Sequence, residues 1–365
     1  MGGGGIQSMQ GTGEVRVKAF IPDSSRAESS GRPTIFPGAG RFRNVAKKLL
    51  YSEYLLLYLT IAYLLVATQL VPGLLSSTNL RNVLSNLFPL LVAAIGQSFV
   101  LITAGIDLSV TSVFACSSVV GGWIMTSNFG PRAGSGWSLA AGLLAMFVVA
   151  LVIALINGLS ITQFEMPPFI VTLSTMTFFS GVALWLVQSR NIYHLPRLLV
   201  TIGKGSVVFV PYALLLTAAL VSTAHWVLTR TVLGRWLFAA GYNAKAAVIS
   251  GVPIGRTIIF AYVASAVCAA LATVLLMGRL ETASPIIGQR LLLDLIAAPV
   301  IGGVSLFGGR GKIQWVILGA LFVTLMDNSL NLLGFSSFVI MMAKGGLILF
   351  AALLDVFRNA STVST

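Results

Sequence analysis

Few side chains in this sequence could do chemistry, and where they sit matters more than how many there are. Inside or at the edges of long apolar stretches the ionisable groups are Asp107, Asp294, Asp327 and Lys344, with His225 as the one histidine there. Polar side chains at membrane depth face a bundle interior or a path for solute. On that reasoning Gln97, Ser98, Asp107, Ser109, Asn157, Asp327 and Asn328 are assigned to a translocation path, the alternative being that they bond helix to helix. No set resembles a catalyst, because no nucleophile has a base or a metal in reach. His194 and His225 have no metal-ligand spacing with each other or with Cys116 and Cys268, and both cysteines read as small buried hydrophobes. Gly308-Gly309-Arg310-Gly311 has the look of a phosphate loop, but Ile313 follows Lys312 and no Gly-x-x-x-x-Gly-Lys-Ser/Thr run exists. No metal, cofactor or nucleotide is expected on this chain, which reads as a non-enzyme whose energy comes from elsewhere.

The elements that must position these groups are set by composition. Of 365 residues 56% are apolar and only 9% charged, with a mean hydropathy of +0.93. A soluble domain carries about 25% charged residues to hold water at its surface. Apolar runs of roughly 18 to 20 residues recur, the length an α-helix needs to cross a bilayer core. The runs are continuous rather than alternating, which selects helices over a β-barrel.

Window length and breakers give about ten spans: Tyr54 to Val71, Val83 to Ala104, Ser109 to Met125, Leu139 to Ser160, Phe169 to Val187, Val207 to Leu228, Thr257 to Met277, Leu291 to Leu306, Trp315 to Leu333 and Phe338 to Phe357. The fold class expected is therefore an all-α polytopic membrane protein. Residues 1–45 read as a disordered basic cytoplasmic tail, 46–358 as the transmembrane domain and 359–365 as a short C-terminal tail. The first apolar run starts too late for a signal peptide and stays as an anchor.

Basic residues set the orientation. Eight of the 23 precede Tyr54, and the loops on that side hold Arg230, Arg235, Lys245, Arg256, Arg310 and Lys312, with Arg358 after the last span. Seven lie on the other side: Arg81, Arg132, Arg190, Arg197, Lys204, Arg279 and Arg290. This bias places both termini in the cytoplasm. The net charge of +13 follows from the tail and these loops, not from a nucleic-acid footprint.

Three segments carry the most information. Gly105-Ile106-Asp107-Leu108-Ser109-Val110 breaks the path between two spans. Asp107 can cap the third span, face the permeation path, or do both. In the loop Thr229 to Arg256, the stretch Gly241-Tyr242-Asn243-Ala244-Lys245-Ala246-Ala247-Val248-Ile249-Ser250-Gly251 reads as a short apolar helix closed by Gly251. Such a helix either docks a partner or lies on the membrane surface. Asp294 to Gly309 is dense in small residues, as close helix packing in a membrane requires.

These segments resemble the ribose-type family of ABC importer permeases. The match rests on Gly105, Asp107, Leu108 and Ser109 in the first segment and on Asp294, Ala297, Ala298, Gly302, Gly303, Ser305, Leu306, Gly308 and Gly309 in the third. It extends to Asn331-Leu332-Leu333-Gly334 and Ala351-Ala352-Leu353-Leu354-Asp355. The resemblance implies a permease subunit in the bacterial inner membrane that pairs as a homo- or heterodimer. It implies two ATPase partners that use ATP and Mg, and a periplasmic binding protein that delivers a small polar solute such as a sugar. It also implies that Gly241, Asn243, Lys245, Ala246, Ala247 and Gly251 belong to the coupling helix seated on the ATPase. The chain departs from the family at Lys245, where a Glu is usual, at Gln289-Arg290-Leu291-Leu292, at Pro299 and at Gln314-Trp315. An ion-coupled secondary carrier is the alternative, with few intramembrane carboxylates to support it.

Overall fold

The computed structural model of the protein describes residues 54–126 and 136–363, with side chains to residue 356; the segment read as a tail, 1–45, lies outside the described residues. The described chain is helical almost throughout. Its helices are α1 (Leu55–Leu70), α2 (Ser77–Ile102), α3 (Val110–Thr126), α4 (Gly136–Gln163), α5 (Pro168–Leu186) and α6 (Arg197–Lys204). A two-stranded hairpin follows, β1 (Ser206–Val207) with β2 (Val210–Pro211). Then come α7 (Tyr212–Arg230), α8 (Val232–Tyr242), α9 (Ala244–Ile249), α10 (Ile254–Leu280), α11 (Leu292–Ile301), α12 (Ile313–Leu332) and α13 (Ser337–Val363). Seven of these are long and apolar enough to cross a membrane, namely α2, α4, α5, α7, α10, α12 and α13, while α1 and α3 are apolar helices of 16 and 17 residues. The chain is a polytopic helical membrane protein.

The centre of the bundle is α2, whose residues from Leu87 to Ile102 are all buried, packed against α10. Small side chains on α10, among them Ala261, Ser265, Ala266, Ala269 and Ala272, let the two helices meet closely. The outer helices turn large apolar residues outward, such as Leu65, Phe178 and Trp185, which are 64%, 65% and 77% exposed. In water such a surface would be an aggregation hazard; in a bilayer it is the lipid contact.

Nine of the ten expected spans coincide with a helix, with ends that differ by up to six residues. The eighth does not. Leu291 to Leu306 was expected to cross as one helix, but α11 has ten residues, about 15 Å, or half a hydrocarbon core. Pro299 removes a donor near its end, and Gly302 with Gly303 (φ +87°) turns the chain into an irregular loop that runs to Lys312. The C-terminal residues differ too, because α13 continues to Val363 with no Pro or Gly after Gly346 to stop it.

α11 lies antiparallel along α12 at a distance only glycine allows, since a Cβ at Gly319 would run into the Ala298 carbonyl oxygen. Gly319→Ala is expected to lower the thermal unfolding temperature of the purified protein in detergent, by an overpacking cost of about 1–3 kcal/mol. Gly181→Ala on α5, where an added Cβ meets nothing within 4 Å, is expected to leave it unchanged or raise it slightly.

Candidate functional site

The break between α2 and α3 is held by a buried polar network. The Asp107 side chain, 3% exposed, accepts from the Ser109 backbone N–H at 3.0 Å, from Ser109 Oγ at 2.5 Å and from Ser265 Oγ of α10 at 3.0 Å. Asn157 Nδ2 of α4 donates to Ser109 Oγ at 2.7 Å, and Thr175 Oγ1 of α5 donates to Asn157 Oδ1 at 2.8 Å. Thr172 Oγ1 donates to the Ile106 carbonyl at 3.1 Å. The network thus ties helices α4, α5 and α10 around the seven non-helical residues 103–109. Every member has a hydrogen-bond partner within the protein, so the network closes the break with its polar side chains satisfied.

The Gly-rich loop after α11 meets the same end of α2. Each backbone N–H from Gly302 to Gly309 has an acceptor. Gly309 N–H donates to the Ile102 carbonyl at 2.9 Å, at the last residue of α2. Asp355 of α13 accepts from Ser305 Oγ at 2.9 Å and from the Leu306 N–H at 3.1 Å. Gly308 and Gly309 stand at φ +82° and +71°, which a side chain would strain.

Against this loop lies the end of α8. A Cβ at Gly241 would strike the Ile102 carbonyl oxygen and crowd the Gly309 nitrogen, so the approach requires glycine. Asn243 then caps α9, its Oδ1 accepting from the Ala246 N–H at 3.0 Å, and Gly251 at φ +82° closes it. Tyr242, Val248 and Ile249 are 79%, 59% and 88% exposed, and Lys245 and Ala246 are exposed beside them. Ala247 is buried at 5% and faces the protein.

The other polar cluster lies towards the opposite end of α2. Lys344 of α13, 8% exposed, sits between two carboxylates. Its Nζ is 2.9 Å from both oxygens of Asp294 on α11, Oδ2 being hydrogen-bonded, and 2.9 Å from Asp327 Oδ1 on α12. Asp294 is buried, whereas the Asp327 side chain keeps 40% exposure. At the next residue of α12 the amide of Asn328 exchanges two hydrogen bonds with that of Asn79, at 2.8 and 3.0 Å, and the Asn79 amide also donates to the Leu74 carbonyl.

The residues singled out from sequence therefore separate into three groups. Asp107, Ser109 and Asn157 share the first network, and Asp327 joins Asp294 in the ion cluster while Asn328 bonds Asn79. Gln97 and Ser98 join neither: both are fully buried on α2, Ser98 Oγ donates to the Ile95 carbonyl, and neither amide atom of Gln97 has a hydrogen-bond partner. Sequence reasoning missed Ser265, Thr175 and Asn79, which pair across 158, 18 and 249 positions, and named Asp355 only as part of a motif, without its partner 50 positions away. Only Lys344, a cation within an apolar span, signalled in the sequence that acidic partners must exist.

Removing the cation leaves two carboxylates unpaired in a low-dielectric setting. Lys344→Met is expected to destabilise the protein by about 3–5 kcal/mol, read as a lower unfolding temperature. Adding Asp294→Leu to it is expected to recover part of the loss, because a buried charge goes with it.

Comparison with known proteins places this architecture. Residues 79–354 match the family model described as branched-chain amino acid transport system / permease component. The ribose import permease protein RbsC of Bacillus subtilis (strain 168) is 36% identical over 307 residues, covering 81% of this chain and 90% of that protein. A probable ABC transporter permease protein, y4mJ of Sinorhizobium fredii (strain NBRC 101917 / NGR234), is 34% identical over 325 residues, 89% of this chain and 95% of its own length. The D-allose transport system permease protein AlsC of Escherichia coli (strain K12) is 30% identical over 281 residues, 77% of this chain and 84% of its own. No solved structure matches the chain. The match runs from the N-terminal turn of α2, through the Asp107 network and the Gly-rich loop, to Leu354 beside Asp355, and on that ground the chain belongs to the branched-chain amino acid transport system / permease component family, as a membrane-spanning ABC importer permease.

Proposed function

We propose that this permease conducts a monosaccharide or a closely related polyol across the bacterial inner membrane, driven by a separate ATPase that uses ATP and Mg. The substrate class is supported by relatives named for ribose and D-allose that align over most of both chains. The single observation that carries the coupling reading is the meeting of Gly241, Ile102 and Gly309. The surface segment that exposes Tyr242, Val248 and Ile249 is fixed by direct backbone approach to both interruptions in the membrane helices. A force applied to α9 would reach both interruptions without passing through a flexible linker.

On this proposal the α9 end faces the cytoplasm, and its exposed apolar residues seat in a groove of the ATPase. The opposite end, with Lys204 and Glu281, receives solute from a binding protein. A second permease subunit, a copy or a related chain, completes the pore. Lys245 at the docking segment calls for an acidic contact on the ATPase, because an exposed cation adds little unless a carboxylate meets it.

Affinity purification of the tagged chain in mild detergent, followed by mass spectrometry, tests the partnership. A P-loop ATPase in comparable amount is expected. Ile249→Asp is expected to reduce its recovery strongly while leaving the unfolding temperature of the permease unchanged. Ala247→Asp, by contrast, buries a charge and should lower that temperature first. Uptake in membrane vesicles driven by an ion gradient and indifferent to ATP would transfer the reading to a secondary carrier.

A further inference from the structure

Beyond these assignments, the ion cluster opens onto space. A cavity of about 390 Å³ has an apolar wall that includes Leu84, Phe88 and Leu275, and Lys204 and Arg279 on its polar side. That volume lies in the range of small-molecule pockets. A smaller cavity of about 70 Å³ adjoins it and is lined by Asn86, Arg279, Asp294, Thr324 and Asp327. Pro89 and Arg279 stand in the walls of both. Arg279 is oriented by the Ser85 carbonyl, to which Nη1 donates at 3.0 Å, and by Asn86 Oδ1.

We infer that the junction of these two cavities is a subsite for the hydroxyl groups of an uncharged sugar, with Asp327 as acceptor and Arg279 and Asn86 as donors. The inference rests on the proposed substrate class and adds the place and the charge of the ligand. Around the smaller cavity two carboxylates face two cations, which favours a neutral solute at the junction. Lys344 pairs with Asp294 and Asp327, Arg279 adds a second cation in the wall of the smaller cavity, Lys204 at the rim is paired with Glu281 at 2.6 Å, and Arg81 stands in the wall of the larger cavity. A ligand charge placed at the junction would meet no unbalanced partner there and would lose its hydration. Hydroxyls lose little, because a carboxylate oxygen and a guanidinium replace water on both sides of each O–H. The Asp327 carboxylate is suited to this, since its exposure leaves an oxygen accessible while Lys344 holds the other. Asp294, buried beneath, keeps Lys344 in place when Asp327 engages a ligand. The ring carbons then meet the Leu84, Phe88 and Leu275 wall.

A cysteine reporter tests this without the partner subunits. Leu84→Cys places a thiol in the larger cavity, and the native Cys116 and Cys268 are buried. The full-length chain in lipid nanodiscs is treated with a small methanethiosulfonate reagent, with and without D-ribose or D-allose. Either sugar is expected to slow labelling. Asp327→Asn and Arg279→Gln are each expected to weaken that protection roughly tenfold. Asp327→Glu should retain it, protection in each variant being taken relative to that variant's own labelling rate without sugar. Protection that is the same in all variants, or that D-glucuronate gives and D-ribose does not, would overturn the subsite. ATP-driven uptake of the same sugars in vesicles bearing the whole importer separates the two levels. Uptake without protection removes the subsite and leaves the sugar reading, whereas absence of both removes the reading itself.

Discussion

Non-helical backbone at membrane depth has to find every hydrogen-bond partner inside the protein, because hydrocarbon offers none. This chain interrupts its helices twice in the region that matters, at 103–109 and at 302–312, and much of its architecture follows from answering those two breaks. The first is closed by Asp107 and its hydroxyl and amide partners on three other helices. The second is closed by its own turns, by Asp355 and by the Ile102 carbonyl. The two interruptions also answer each other through Gly309 and Ile102. A helix running straight through either position would need none of this. Discontinuous helices of this kind recur where transporters bind their solutes.

The second constraint is charge. Among the described residues, three ionised groups meet within the bundle, and a lysine between two carboxylates is a poor device for stability alone, since desolvation offsets most of the attraction. What such a cluster supplies is geometric definition. Lys344 cannot leave Asp294 without stranding a charge, so α11, α12 and α13 keep their register at that end. The partial exposure of Asp327 leaves one corner of the cluster free to meet something else.

How much of this was legible in the sequence depended on whether one residue or two carried the information. Span positions follow from local hydropathy, and α3 or α5 could be placed within a residue or two. The eighth segment failed on the same rule: Leu291 to Leu306 is apolar enough to be a helix, but hydropathy does not register that Pro299, Gly302 and Gly303 together end it after ten residues. Asp107 was legible as a cap, because the acceptor and the helix start it serves are two residues apart. Its bond to Ser265 was not, since 158 positions separate them. Gln97, assigned to the path as a glutamine in an apolar helix, is buried on α2 with no hydrogen-bond partner for either amide atom. Ala247 was legible as part of a short helix, but which face of α9 points outward depends on how α8 and α10 flank it.

The two constraints meet on α13. Lys344 and Asp355 lie eleven residues apart on that helix, about 16 Å along its axis. The first grips Asp294 in the opening turn of α11, and the second grips Ser305 and Leu306 in the loop after it. The half-helix and its loop are thus fastened to one rigid rod at both ends, so they can shift only together with it. The loop's other contact is Ile102, which also abuts Gly241 beneath the exposed surface of α9. Displacement of α9 would therefore act on the Gly-rich loop, and the loop would carry α11 and α13 as a unit. That path ends at Lys344, which holds Asp327 in the wall of the smaller cavity. Rigid-body transmission of this kind needs no deformable pathway through the core; it needs the helix breaks to be where they are and the glycines to be glycine.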